Sequence, residues 1–277
     1  SGETKVVGVL GWPVSHSLSP RMHNFWMQTH DVDGVYIPIP VRPDCISNVL
    51  GALPGLGFTG VNVTVPYKEL ALDFVDTIDD NVQRIGALNT IIYDKNGKAH
   101  GMNTDCAGFI NNICQQDPEF HTISGPALII GAGGAARAAI VALQDFGMTE
   151  IWIANRTPEK AHKIVTELGH SIRVLEWDKY PSCLKDISVL VNATSLGMEG
   201  QPNLVIDLSQ LPLTTRVHDI VYAPLETNLI ASARRRGNTI IDGIGMLLHQ
   251  GSQAFEAWFG FRPAVTNEIR QYVLGGH

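Results

Sequence analysis

Short apolar runs alternate along this chain with segments whose apolar residues recur at helical spacing. Val6–Leu10 reads as a first strand and is followed by a Pro/Ser loop. Ser19-Pro20 then opens a helix, with serine as cap and proline in the first turn; Met22, Phe25 and Trp26 follow at helical spacing. Val35–Val41 reads as a strand. Val61-Asn62-Val63-Thr64-Val65 alternates apolar and polar positions, as a strand with two unlike faces does. Pro66 stops that strand, and a helix is expected from about Tyr67. Ile91–Tyr93 followed by Asp94-Lys95-Asn96-Gly97 predicts a hairpin closed by an Asn-Gly turn.

From Ala127 the pattern becomes strictly β-α-β. Ala127–Ile130 is wholly apolar, as strands covered on both faces are. Residues 134–146 form an alanine-rich helical stretch closed by Gly147. Ile151–Ala154 is the next strand, and Thr157-Pro158 caps the helix after it. Ile187–Val191, Val217–Val221 and Thr239–Ile241 continue the strand series, and two helices are expected between Gly243 and Leu274. The pattern as a whole predicts an α/β protein of two domains, a first α/β domain and then a βαβ domain.

Composition narrows the functional classes. The 277 residues are 44% hydrophobic and 17% charged, enough for a sizeable core. A formal charge of −7 disfavours nucleic acid and acidic membrane surfaces as partners, since both select basic proteins. One basic run, Arg234-Arg235-Arg236, precedes Gly237 and reads as a solvated helix end suited to the helix dipole. Cys45, Cys106, Cys114 and Cys183 include no CxxC pair, and no His/Cys group has zinc-ligand spacing. The expectation is free thiols, no metal and a cytoplasmic location. No apolar run has the length of a membrane span, and the first residues do not form a basic-then-apolar export signal.

Candidate chemistry begins at Gly131-Ala132-Gly133-Gly134-Ala135-Ala136. This GxGxxA segment ends a strand and opens a helix. Its first glycine makes the tight turn, and the second lets backbone approach a pyrophosphate lying on the helix N-terminus. The end of the next strand speaks to the cofactor. A dinucleotide with a free ribose 2′-hydroxyl is met there by Asp or Glu, whereas this chain has Asn155-Arg156-Thr157 with Lys160 one turn on. Arg156 and Lys160 suit a 2′-phosphate, so NADP is expected. Outside that region four segments are rich in small polar groups: Ser15–Pro20, Asn62–Lys68, Gly86–Thr90 and Asn103–Asp105. Asn62 and Thr64 share a strand face, and Lys68 lies just past the strand end, where the site residues of α/β sheets gather. Gln250 lies one turn beyond Met246 on an otherwise apolar helix and needs hydrogen-bonding partners. His16 and His249 read as local hydrogen-bond donors.

Taken in order, these words resemble the shikimate dehydrogenase family from end to end. They are Pro13–Pro20, Asn62–Lys68, Ala87–Thr90, Asn103–Asp105, Gly131–Arg137, Asn155–Thr157, Asn192–Met198 and Asp242–Gln250. The resemblance implies a substrate domain built from residues 1–104 plus 243–277. A Rossmann-type NADP domain, 105–242, is inserted, with the cleft between the two. It also implies that Ser17 and Ser19 hold a substrate carboxylate, and that Thr64, Asn89, Asp105 and Gln250 hold ring hydroxyls with Asn62 and Tyr222 close by. Lys68 and Asp105 would form the catalytic pair. Gly131, Ala132, Gly133, Gly134, Ala135, Asn155, Arg156, Thr157, Lys160, Thr194, Met198, Gly243 and Met246 would line the cofactor site. The implied reaction is NADP-dependent oxidation of shikimate to 3-dehydroshikimate, by a monomer or homodimer with only this small molecule as partner. The chain departs from the family pattern at Trp12, where Asn or Asp is usual, and at Ala223 before Pro224, where Asn is usual. Two alternatives stay open: a quinate/shikimate dehydrogenase of relaxed cofactor use, and a noncatalytic NADP-binding regulator.

Overall fold

The computed structural model describes residues 2–169 and 171–275. The elements run in the order β1 (Lys5–Gly11), α1 (Ser19–Thr29), β2 (Gly34–Pro40), α2 (Ile46–Ala52), β3 (Phe58–Val63), β4 (Thr77–Ile78), α3 (Asp80–Ile85), β5 (Thr90–Tyr93) and β6 (Ala99–Met102). Next come α4 (Asp105–Gln116), β7 (Ala127–Ile130), α5 (Gly134–Asp145), β8 (Ile151–Ala154), α6 (Pro158–Leu168), β9 (Ile172–Leu175), α7 (Tyr180–Cys183) and β10 (Val189–Asn192). The series ends with β11 (Arg216–Asp219), α8 (Asn228–Arg236), β12 (Ile240–Ile241), α9 (Ile244–Phe259) and α10 (Asn267–Val273). The chain divides into two compact units, Ser1–Thr104 with Leu247–His277, and Asp105–Met246. The division therefore falls inside α9, after Met246, where the family resemblance implies it before Gly243.

The first unit holds a mixed sheet of order β2-β1-β3-β5-β6-β4. β1 pairs in parallel with β2 and β3, whereas β5 runs antiparallel to both β3 and β6. The β5–β6 hairpin has the expected turn: Gly97 takes φ 78°, and the Asp94 carboxylate accepts from the Asn96 and Lys98 amides. α9 packs onto this sheet through Trp258, whose indole Nε1 donates to the Ile91 carbonyl at 3.1 Å. Gly60 is the reason it can approach. A Cβ there would collide with both the indole and the Ile91 oxygen. The same layer encloses His23. Its ring stacks on Tyr36 at 4.3 Å and lies parallel to Phe255 at 6.0 Å. Neither ring nitrogen has a hydrogen-bond partner, and burial pushes the imidazole down to about 3.

Two local expectations in this unit are corrected. Ser19 is the first helical residue of α1, not its cap; Leu18 occupies the cap position without a side-chain bond, and Ser17 Oγ accepts from the Ser19 amide at 3.3 Å. The backbone is already turning before Ser19, since Ser17 N donates to Val14 O. Likewise, no α-helix begins at Tyr67. Its amide closes a turn onto Thr64 O and its hydroxyl is anchored on Val41 O at 2.5 Å, so regular structure resumes only as a 3-10 turn at Leu70–Phe74.

The second unit is an all-parallel sheet of order β12-β11-β10-β7-β8-β9. Strands β7, β8 and β9 step one way from the centre and β10, β11 and β12 step the other. The order reverses between β7 and β10, which is where a doubly wound sheet opens its binding crevice. Each central strand is buried along its length and apolar up to Asn192 at the end of β10, as the sequence implied. The strands expected at Ile187–Val191 and Val217–Val221 form slightly displaced, at Val189–Asn192 and Arg216–Asp219. α8 ends at Gly237 with φ 92°, but its basic run is only partly solvated. Arg234 pairs with Glu226 and Arg236 donates to the Leu211 carbonyl.

Candidate active site

In the first unit, β3, β5 and α9 bring three of the expected residues into one hydrogen-bond network. Asn62, at the penultimate position of β3, accepts from the Tyr36 hydroxyl at 2.7 Å. Its amide nitrogen donates to Asn89 O and Thr90 Oγ1. Asn89 Nδ2 donates to Thr104 Oγ1 at 2.9 Å and to Gln250 Oε1 at 3.3 Å, and its Oδ1 accepts from the Thr104 amide. Gln250 donates in turn to Leu247 O at 2.8 Å. Asn62, Asn89 and Gln250 are buried. Buried amides tied in this way are held in fixed orientations. Thr64 follows Asn62 just past the strand, with its methyl where a Cβ on Gly11 would stand. The Lys68 carbonyl accepts from Leu88 N at 2.9 Å, which ties the Lys68 segment to the Asn89 segment. Ser17 just before α1 and Ser19 at its first position are joined by the bond described above.

In the second unit the glycine turn behaves as its spacing demands. Gly131 takes φ 117°, and a Cβ there would meet Ala193 O at 2.8 Å and Thr194 Cγ2 at 2.9 Å. The turn after β7 is thus packed against the loop after β10, at the reversal point of the sheet. Gly133 caps α5 with extended backbone and no side-chain bond, and a Cβ on it would meet nothing within 4 Å. No side chain caps the first amides of α5, which leaves them for an anion such as a pyrophosphate. Ala132, Gly134 and Ala135 complete that turn. At the end of β8, Asn155 Nδ2 donates to Thr157 O at 2.8 Å, and Arg156 and Lys160 are exposed. Neither makes an ion pair with a carboxylate among the described residues. Asp105, 4% exposed, is the first residue of α4. Gly243 is pressed against the backbone of Ile220 and Val221, the two residues before Tyr222. Tyr222 is partly buried, which raises its phenol. Met246 is buried, and Thr194 and Met198 stand on the loop after β10.

Residues 9–91 match the model of the shikimate dehydrogenase substrate binding domain, and residues 117–210 match that of shikimate / quinate 5-dehydrogenase. The chain is 50% identical over 274 residues to a shikimate dehydrogenase (NADP(+)) of Paramagnetospirillum magneticum, covering 99% of each. The chain belongs to the shikimate dehydrogenase family. Among solved structures it resembles a Thermus thermophilus shikimate 5-dehydrogenase in complex with NADP(H) and shikimate, at 33% identity and TM-score 0.86, covering 98% of each chain. It also resembles a Corynebacterium glutamicum quinate dehydrogenase in complex with NAD, at 28% identity and TM-score 0.90, covering 98% of this chain and 99% of that one. The α/β architecture of two domains is that of the family.

Tyr36 and Asp219 escape sequence reasoning altogether, and Thr90, Thr104 and Asn192 stand in the singled-out segments without a role read for them. Tyr36, Thr90 and Thr104 hold the Asn62–Asn89–Gln250 network. Asn192 and Asp219 hold the loops after β10 and β11. Asn192 ends an otherwise apolar parallel strand, where a polar residue needs a reason, whereas Asp219 ends a strand that already carries Arg216 and His218 and so gives no such signal. No group of three or more His, Cys, Asp or Glu among the described residues could hold a metal ion, and no helix there is long and apolar enough to cross a membrane.

Proposed function

We propose that this shikimate dehydrogenase family member interconverts shikimate and 3-dehydroshikimate with NADP(H). The observation that carries the reading is the end of β8. It has Asn155 where an acid would meet a free 2′-hydroxyl, and it presents two exposed cations, Arg156 and Lys160, that pair with no carboxylate among the described residues, beside a glycine turn whose helix N-terminus has no side-chain cap. A 2′-phosphate is the group that such a pair selects. NADP+ bound there supplies the hydride acceptor. Gly131 to Ala135 would carry its pyrophosphate and Asn155 to Lys160 its adenosine end, while Thr194, Met198, Gly243 and Met246 would line the remainder. Ser17 and Ser19 would donate to the substrate carboxylate, and Thr64, Asn89, Asp105 and Gln250 would orient ring hydroxyls, with Asn62 and Tyr222 beside them. Lys68 would take the proton of the hydroxyl being oxidised, or return it in reduction, with Asp105 orienting both lysine and hydroxyl.

The test is turnover at saturating NADP+ with shikimate and with quinate as separate substrates. Shikimate is flat at the carbon bearing its carboxylate, and the short Ser17/Ser19 pair suits that end. Quinate carries an extra hydroxyl there, and leaving it unpaired costs about 1–3 kcal/mol. The expected preference for shikimate is roughly tenfold to a hundredfold in kcat/KM. Equal efficiency on quinate moves the protein to the dual-substrate relatives, and no turnover of either with NADP+ leaves the noncatalytic regulator.

A further inference from the structure

Asp219 is a buried carboxylate that the proposed reaction does not use. It ends β11, beside the reversal point of the parallel sheet, and is 0% exposed. No cation pairs with it among the described residues. Three neutral donors surround it instead. Oδ1 accepts from Asn192 Nδ2 at 2.9 Å and from the Val221 amide at 3.0 Å, and Oδ2 accepts from the Thr227 hydroxyl at 2.7 Å. Each donor leads to a different segment. Asn192 Oδ1 accepts from both the amide and the hydroxyl of Thr194, and Asn192 Nδ2 donates also to Leu196 O. Val221 is the residue before Tyr222. Thr227 caps α8 by accepting from the Ile230 amide. Farther out, the Glu199 amide donates to Ala223 O at 2.8 Å, so the two loops are also stitched at their rims.

We infer that Asp219 is a positioning residue for the reaction proposed above, holding the Thr194–Met198 loop and the Tyr222 segment in one register against each other. The argument is geometric. A single carboxylate is the shared acceptor for the loop after β10, the loop after β11 and the first turn of α8. Desolvation without a cation is costly, and burial lifts this carboxyl to about 6 even against the pull of its three donors. An asparagine in its place keeps an acceptor for Asn192 and Val221 and turns its amide toward the Thr227 oxygen. An alanine leaves all three donors without their acceptor and frees the two loops.

The experiment compares Asp219→Ala and Asp219→Asn with the unaltered protein, using calorimetric NADP+ binding alongside steady-state kinetics with shikimate. Asp219→Ala should raise the dissociation constant and KM for NADP+ about tenfold or more in the folded fraction, with kcat at saturation changed less. Asp219→Asn should recover to within about threefold. A purely structural role lowers the folded fraction and leaves the KM of what remains unchanged, and that result overturns the inference. Equal impairment of both variants overturns it as well. Should Asp219→Ala not fold, Asn192→Ala severs the same link from the other side and decides by the same criterion. Failure of the functional reading is separate, because it appears as an unaltered protein that does not turn over shikimate with NADP+.

Discussion

At the scale of single residues, the side chains proposed for the site fall into two physical kinds. Arg156 and Lys160 are exposed and pair with no carboxylate among the described residues, so their charge is available to a ligand. A desolvated Arg–phosphate pair contributes about 2 kcal/mol or more, roughly thirtyfold. Arg156→Ala should therefore raise the KM for NADP+ by about that factor and leave that for NAD+ nearly unchanged, and equal effects on both cofactors would remove the 2′-phosphate contact. Asn62, Asn89 and Gln250 are of the other kind: buried and held by Tyr36, Thr90, Thr104 and the Leu247 carbonyl, they contribute orientation. Lys68 stands apart as the proposed proton carrier. Lys68→Ala should lower kcat by about two to four powers of ten with little change in shikimate affinity, read by steady-state kinetics and equilibrium binding. The nucleotide half of this set was legible in sequence because glycines at fixed spacing and a missing acid have local causes. The partners of Asn62 were not. Tyr36 and Thr90 reach it only once the sheet is assembled, through pairings of strands distant in sequence.

At the scale of elements, the parallel strands were readable because burial on both faces makes them continuously apolar. Boundaries were readable where a cap or a turn residue has one use, as at Asn96-Gly97. They were misread where tertiary anchoring decides, as at Tyr67, whose hydroxyl is held by Val41. α4 shows how far an element can act from its own position. Asn112 donates to the Asp242 carbonyl at 2.7 Å, and Gln116 donates to the same oxygen and to the Asn112 side chain. Gly245, in the first turn of α9, is small because Asn112 Oδ1 occupies the space where its Cβ would be. Gly245→Ala should destabilise the protein by about 1–3 kcal/mol in chemical unfolding. Adding Asn112→Ala makes room, so the double variant should lose less than the sum of the two singles. Strict additivity would show that the amide does not hold this turn.

Across the whole molecule, stability should depend on pH through groups that the reaction does not touch. His23 and His218 are both buried and both pushed down to about 3. The groups packed on them are uncharged: aromatic rings around His23, and Phe109 and Asn112 beside His218. Below about pH 6.5 the unfolded chain takes up protons at these positions and the folded protein does not, so stability falls as pH drops from there toward 3. Asp219 acts in the opposite sense. Its folded carboxyl, at about 6, binds a proton before the unfolded one does, which returns part of that loss between about pH 6 and 4. Two groups against one leave a net fall, expected as a lower melting temperature at pH 5 than at pH 7.5. His23→Phe should flatten the profile while costing little at neutral pH, because that imidazole already serves as an apolar ring. An unchanged profile in that variant would assign the loss elsewhere. The division of the chain has a consequence for its birth. Trp258, Phe255 and Gln250, which complete the first unit, are translated only after all of residues 105 to 246. At ribosomal speed the first sheet waits roughly ten to thirty seconds, its α9 face uncovered, while the unit made second has its sequence complete first. A released chain that ends at Met246 should thus carry a protease-resistant later portion and a labile beginning, with α9 as the piece whose arrival completes the first unit.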